Sequence, residues 1–267
     1  MRFSIVTPVL NGMPWLPEAV ASVQRQRAEV KVEHIILDGG STDGSRQWLE
    51  THAASDATLV LEPDAGQTDA LIRGLRRASG DVLGWLNADD ILEPQALLRV
   101  AKALKGRREA VGASGAALLI DPRGDVVGGL PTPPCGTREC LLRHPHNPTQ
   151  PATFFRRDIY EAVGGLNPSL DLAMDADLWL RLTTRGPFEL LKSDVLARFR
   201  VHPSAKSVRH AGRAAREDLR VRLQHGMPLV SYAGATMVKF AYVYPALAPA
   251  WRATVGRLRR HTQREEL

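Results

Sequence analysis

Four places in this chain carry side chains able to hold a cation or a polar ligand: Asn11, Asp38, Asp64, and the pair Asp89-Asp90 within Asn87-Ala88-Asp89-Asp90. Each follows a short apolar run, the pattern of a loop at the end of a strand. In a parallel sheet such loops gather on one rim, so the four places converge. Carboxylates brought together there repel one another unless a cation or a set of donors balances them. A hard divalent ion is the natural balance. Mg²⁺ or Mn²⁺ takes oxygen ligands, commonly only one or two carboxylates from the protein, and completes its shell with phosphate oxygens and water. Neighbouring carboxylates at a strand end point in different directions, so Asp89 and Asp90 can do different jobs. The alternative is that Asp89-Asp90 simply caps the helix beginning near Pro94.

The elements that must position these groups follow from periodicity. Residues 3–9 form a β-branched apolar run that reads as a buried strand, and Asn11-Gly12 marks a turn. A helix is expected over 14–26, a strand over 32–37, and a turn-rich loop from Asp38 to Gly44. A helix over 45–53, a strand over 57–62, a helix over 68–78 and a strand over 82–86 follow. This alternation predicts a mostly parallel, Rossmann-like sheet flanked by helices. The first hundred residues thus read as a nucleotide-binding unit whose acidic turn holds a divalent ion against a diphosphate. Beyond them a helix over 95–104, a strand over 111–120, a long Gly- and Pro-rich functional loop over 128–152, a strand over 153–155, and helices over 158–163 and 175–184 are expected.

The chain has 267 residues, 44% hydrophobic and 24% charged, which suits one folded α/β domain with an extension and excludes disorder as the default. Its net charge of +6 gathers around 198–222 and 252–264 and suits an anionic partner. Nucleic acid is disfavoured, since no aromatic-basic interleaving occurs. Cys135 and Cys140 lack the spacing of a zinc site or a disulfide framework and read as two reduced thiols. The amino terminus enters an apolar run without signal-peptide architecture, so a cytoplasmic location is expected. Residues 228–251 are long enough to suggest a span of about 20 apolar residues, but Lys239, Pro245 and Pro249 interrupt them. Segment 228–260 fits a helix at the inner membrane surface, and a packed hairpin or a homodimer contact fits equally.

Several motifs in order resemble the inverting, GT-A-fold glycosyltransferases of family 2. They are Thr7-Pro8-Val9-Leu10-Asn11, Asp38-Gly39-Gly40-Ser41-Thr42-Asp43-Gly44-Ser45, Gly80-Asp81 through Asp90, Gln150 to Arg157, Met174 to Arg181, and His202 to Ser207. The resemblance spans roughly residues 3–208, and only the ordered set is specific. It implies a catalytic domain over 1–210, with a nucleotide-binding half (1–100) and an acceptor-binding half (101–210), followed by a helical extension over 211–267. It further implies metal-dependent transfer of a hexose or related sugar from a nucleotide diphosphate donor, foremost a UDP-sugar. The acceptor would be a saccharide or lipid-linked saccharide in surface-polysaccharide assembly.

The implied roles are specific. Asp38 would accept the uracil imide proton while Thr7, Pro8, Val9 and Asn11 line the base. Asp89 would face the ribose, with Asn87 standing where many relatives have an aspartate. Asp90 would meet Mn²⁺ or Mg²⁺, with His202 as a second ligand or a structural histidine. Asp175 would be the general base, with Asp177 its rival and a helix N-cap the alternative. Asp64 and Arg73 would contact the donor or serve their own loop and helix, Lys206 and Arg209 would support the diphosphate or form a solvated basic face, and Asp43 would organise its turn. His144, His146 and Gln150 lie where an acceptor would approach.

Other classes fit less well. A dinucleotide enzyme would carry G-x-G-x-x-G after the first strand, and a nucleotidyltransferase a Gly- and Arg-rich phosphate loop there; neither occurs. A non-catalytic nucleotide-sugar binder would keep the fold, but joint retention of Asp38, Asp89, Asp90 and Asp175 speaks against it.

Overall fold

The amino-terminal apolar run becomes β1 (Arg2–Val9), buried without interruption from Phe3 to Thr7. A strand covered on both faces has no need to alternate apolar and polar residues. In the computed structural model, which describes residues 1–53, 55–143 and 147–227, the chain continues through α1 (Leu16–Arg25), β2 (Lys31–Asp38), α2 (Ser45–His52), β3 (Thr58–Val60), α3 (Gln67–Leu75), β4 (Val82–Trp85) and β5 (Ile91–Leu92). Then come α4 (Ala96–Leu104), β6 (Gly112–Ile120), β7 (Val126–Leu130), α5 (Arg138–Arg143), β8 (Thr153–Arg156), α6 (Arg157–Ala162) and α7 (Met174–Leu182). β9 (Phe188–Arg200), α8 (Lys206–Arg209) and α9 (Ala211–Gln224) complete the described elements.

One sheet runs in the order β3-β2-β1-β4-β8-β6-β9-β5, with β7 paired to β6. The first four strands are parallel, and β8 turns antiparallel against β4. β1, β2 and β4 therefore deliver their carboxyl ends to one rim, with Val9 in register with Asp38. β9 pairs antiparallel with β5, setting Ile91 opposite Arg198. That pairing brings the exit of β9, Arg200 and His202, beside Asp89 and Asp90. Gly84 is required where β4 meets β8, because a side-chain carbon there would sit 2.7 Å from the Phe154 ring.

Beneath the sheet Trp85 stacks on Trp179 of α7 at 5.6 Å between centroids, and Phe155 packs against both. Both indoles are buried, and truncating either to Ala would cost about 3–5 kcal/mol. Val221 of α9 belongs to the same cluster, so the first part of the expected extension packs on the body.

Three expectations change. The long loop over 128–152 contains the end of β7 and the whole of α5. Cys135 and Cys140 are joined in a disulfide with Cα atoms 5.9 Å apart, not reduced thiols. Gly136, between them, accepts the Phe188 N–H at 2.9 Å, which folds the cysteine loop against β9. Finally, α4 starts at Ala96 after a left-handed Gln95 with no side-chain cap, so Asp89-Asp90 does not cap it. Residues 228–260, read as a membrane-surface or dimer segment, lie outside the described residues, as do His144 and His146. Among the described residues no helix is long and apolar enough to cross a membrane.

Candidate active site

Asp38, the last residue of β2, is completely buried. Its Oδ1 accepts the N–H groups of Gly40 and Ser41, each at 2.9 Å. Its Oδ2 is buried with no partner. An unpaired buried acceptor costs about 1–3 kcal/mol, a penalty that a ligand donating one hydrogen bond could relieve. Asp64 closes the neighbouring side: its Oδ1 accepts the Gly66 N–H at 2.9 Å, and its carboxylate lies so close over Gly39 that a Cβ there would fall 2.3 Å from Oδ2. Only glycine permits that approach.

The loop after β1 is knitted to the loop after β2. Asn11 adopts φ 56°, and its Oδ1 accepts the Thr42 N–H at 2.9 Å. Asp43 takes the N–H groups of Met13 and Ser45 at 2.8 and 3.0 Å. Burial pushes the Asp43 carboxyl up, but these bonds outweigh it and hold it below the usual range. Asp43 thus organises the turn, as its sequence context suggests. Thr7 and Val9, expected at the donor, have side chains turned into the fold. Thr7 is buried with its hydroxyl 2.9 Å from His34 Nε2, and Val9 is buried in the core under α1. Pro8 is half-buried between them.

At the end of β4 the two aspartates part company. Asp90 is 1% exposed; its Oδ1 accepts the Arg200 N–H and its Oδ2 the Asn87 amide, both at 3.0 Å. Burial first, and then the adjacent Asp89 charge, pushes its carboxyl well above the ordinary range. Both Asp90 oxygens are engaged by protein donors and closed off from solvent, so the partly exposed Asp89, rather than the expected Asp90, is the carboxylate open to an ion.

Asn87 is likewise spent within the protein. Its amide nitrogen donates to Asp90 and to Gln150 Oε1 (3.1 Å), and its oxygen accepts from Gln67 Nε2 at 2.8 Å. Its expected donor contact is replaced by this network. The amide also explains the departure from aspartate, since a second carboxylate would face Asp90.

Asp89 is the partly exposed member, with Oδ2 2.9 Å from His202 Nε2. The other imidazole nitrogen lies 2.8 Å from Ser204 Oγ, and the ring packs on Trp15 at 4.3 Å between centroids. An octahedral Mg²⁺ or Mn²⁺ with ligands at roughly 2.0–2.2 Å sets neighbouring ligand atoms about 3 Å apart. Asp89 Oδ2 and His202 Nε2 fit two such positions. The Ser204 hydroxyl can accept Nδ1–H, which would leave the Nε2 lone pair for an ion. Among the described residues no three His, Cys, Asp or Glu side chains are grouped to hold an ion by themselves.

Arg200, which sequence reasoning missed, braces this corner. It is buried, with Nε donating to Asp89 O (2.9 Å), one terminal nitrogen to Asp121 O (3.1 Å) and the other to Glu18 Oε2 (2.7 Å). Its guanidinium also lies 5.6 Å from the Trp15 ring, whose Nε1 donates to Pro122 O at 3.0 Å. No local signal marks it, because its partners come from three separate segments.

On the other side of the rim, Asp175 is half-buried in the first turn of α7, where its Oδ1 accepts the Ala176 N–H at 2.8 Å. Its rival Asp177 is paired with Arg181 (2.7 Å) and His225 (3.0 Å). Burial raises the Asp177 carboxyl, but His225 and Arg181 together bring it below its ordinary value. That carboxylate is structural.

Of the two roles open to Arg73, the structure shows the local one: it bonds Pro63 O at 2.9 Å and pairs with Glu62. Lys206 donates to Asp171 Oδ1 (2.6 Å) and Gln67 Oε1 (3.3 Å), while Arg209 is exposed.

Comparison with solved structures places this architecture among GT-A glycosyltransferases. It superposes on S. aureus TarS in complex with UDP with a TM-score of 0.63 and 18% identity, covering 92% of this chain and 73% of that one. The mannosyltransferase PcManGT from Pyrobaculum calidifontis, in complex with GDP-Man and Mn²⁺, gives 0.60 and 21%, covering 94% and 71%. In sequence, an uncharacterized glycosyltransferase of Mycobacterium tuberculosis is 30% identical over 184 residues, 67% of each chain. A PGL/p-HBAD biosynthesis glycosyltransferase of Mycobacterium bovis is 31% identical over 183 residues, 67% of this chain and 68% of the other. The pattern of the glycosyl transferase family 2 matches residues 4–164. The chain belongs to that family and is a glycosyltransferase.

Proposed function

We propose that this glycosyltransferase takes a UDP-sugar and transfers its sugar, with inversion, to a saccharide or lipid-linked saccharide on the cytoplasmic side of a membrane. The observation that carries the donor assignment is the buried, unpartnered Oδ2 of Asp38. With Oδ1 already engaged twice, one acceptor atom remains, which matches the single imide N–H of uracil. Asp64 flanks that base, and Asp89 and His202 would hold Mn²⁺ or Mg²⁺, which would supply positive charge beside the departing diphosphate.

Asp175 takes the proton of the acceptor hydroxyl as its oxygen bonds to the anomeric carbon and the bond from that carbon to the diphosphate oxygen breaks. The relatives named for PGL/p-HBAD biosynthesis support a glycolipid-type acceptor. Turnover separates this reading from that of a non-catalytic binder.

A thermal-shift panel of UDP-sugars and GDP-mannose, with and without Mn²⁺, tests the donor. UDP-sugars with Mn²⁺ should raise Tm in wild type and not in Asp38→Ala. Stabilisation by GDP-mannose alone would overturn the uracil assignment.

A further inference from the structure

The helix that carries Asp175 begins without a side-chain cap of its own, with Ala173 at the N-cap position. Its entry is held instead by α9. Glu217 Oε1 accepts three successive N–H groups, those of Asp171 (2.8 Å), Leu172 (2.8 Å) and Ala173 (2.9 Å). Consecutive amides aimed at one point form an anion-binding concavity, and here a carboxylate from α9 fills it. Bonds to an ionised acceptor are roughly twice as strong as neutral ones.

The same short segment is held from two further sides. Thr68 Oγ1 donates to Leu170 O at 2.8 Å, and Lys206 Nζ donates to Asp171 O at 2.8 Å. Farther along, His225 at the end of α9 bonds Asp177 at 3.0 Å. α7 is thereby gripped by α9 at its entry and at its first turn. Asp175 lies two residues beyond the last amide that Glu217 holds.

We infer that Glu217 is a positioning residue for transfer: by clamping residues 171–173 it sets where the Asp175 carboxylate stands relative to the acceptor hydroxyl. This rests on the reading of Asp175 as the base. Glu217 spends its Oε1 on the amides of residues 171–173, so its loss should fall on kcat and leave donor affinity alone. A misplacement of about 1 Å costs roughly 10²-fold in rate.

The test compares Glu217→Ala, Glu217→Gln, Asp175→Asn and the double variant Asp175→Asn/Glu217→Ala, with Arg216→Ala on the exposed side of α9 as control. UDP release from UDP-GlcNAc with Mn²⁺ is followed with water and octyl glycosides as acceptors, alongside UDP affinity and amide exchange over 170–178. Glu217→Ala should lower kcat roughly 10²-fold with UDP affinity unchanged, and residues 171–173 should exchange faster. Glu217→Gln, whose neutral oxygen makes the same bonds more weakly, should show a smaller but measurable loss of kcat with a smaller rise in exchange. Arg216→Ala should match wild type, and the double variant should be no slower than Asp175→Asn.

If Asp175→Asn transfers at the wild-type rate, the base assignment fails and this inference with it. If Asp175→Asn is inactive while Glu217→Ala retains wild-type kcat and exchange, the positioning role alone is overturned. Should Glu217→Ala not fold, wild-type kcat and exchange in Glu217→Gln would overturn it, whereas a lowered kcat with faster exchange at 171–173 and unchanged UDP affinity would support it.

Discussion

In the half of the sheet formed by β3, β2, β1 and β4, rim side chains are held by the loops that carry them or by the next loop along. Asp38 bonds Gly40 and Ser41, Asp43 bonds Ser45, and Asp64 bonds Gly66. In the half formed by β8, β6, β9 and β5, the holding groups come from far along the chain. Arg200 reaches Glu18, Asp89 and Asp121, and Glu217 reaches Asp171. Local loops present donors and acceptors to a ligand, while distant braces decide which of two adjacent groups faces it. Asp89 and Asp90 sit at that seam.

The comparison breaks first at the base. Asp175→Asn should lower transfer by roughly 10²–10⁴-fold with UDP affinity unchanged, as measured by single-turnover kinetics and calorimetry. Wild-type transfer would remove the acceptor-side half from the chemistry.

Next comes the brace. Arg200→Met strips the donor from the part-buried carbonyls of Asp89, Asp121 and Pro122 and removes the partner of Glu18, and should cost about 3 kcal/mol in urea unfolding. It should also weaken Mn²⁺-dependent stabilisation by UDP-sugars, because Asp89 loses its backbone anchor. An unchanged urea midpoint would show that the long-range braces are dispensable.

A smaller effect is expected at Asn87. Asn87→Asp places a carboxylate against buried Asp90 and should cost about 1–3 kcal/mol at neutral pH, with the difference shrinking on acidification. A variant as stable as wild type at pH 7 would sink the explanation of the asparagine.

At neutral pH the smallest effect belongs to His34, which burial first, and then the nearby Arg27 charge, lowers to about 3. The unfolded chain takes up this proton near pH 6.5 and the folded chain only near 3. Stability contributed by neutral His34 is therefore complete above 6.5 and lost as pH falls toward 3, at up to about 1.4 kcal/mol per pH unit. His34→Gln should flatten that part of the stability profile in urea titrations at stepped pH.

The same division explains what the sequence disclosed. The alternation of strands and helices through residue 86, the strand-end positions of Asp38 and Asp89, and the turn role of Asp43 all rest on local periodicity and turn chemistry. The choice between Asp89 and Asp90 does not, because it depends on the Arg200 backbone N–H arriving along a strand that joins β5 from the far side. β9 itself escapes the alternation rule, since its pairing with β6 shifts register near Gly115 and Ala116 and its burial loses a period of two. The two roles open to Arg73 in the sequence narrow only when Glu62 and Pro63 are seen to occupy it. The cysteines read as thiols because their pairing depends on a loop closing over β9.

Trp15 lies between the His202 imidazole and the Arg200 guanidinium, whereas Trp85 and Trp179 are sealed in the core. The protein thus carries a fluorophore at its proposed ion-binding corner. Paramagnetic Mn²⁺ held by His202 would quench that indole and spare the two inside, so the ion's arrival could be followed optically without any label.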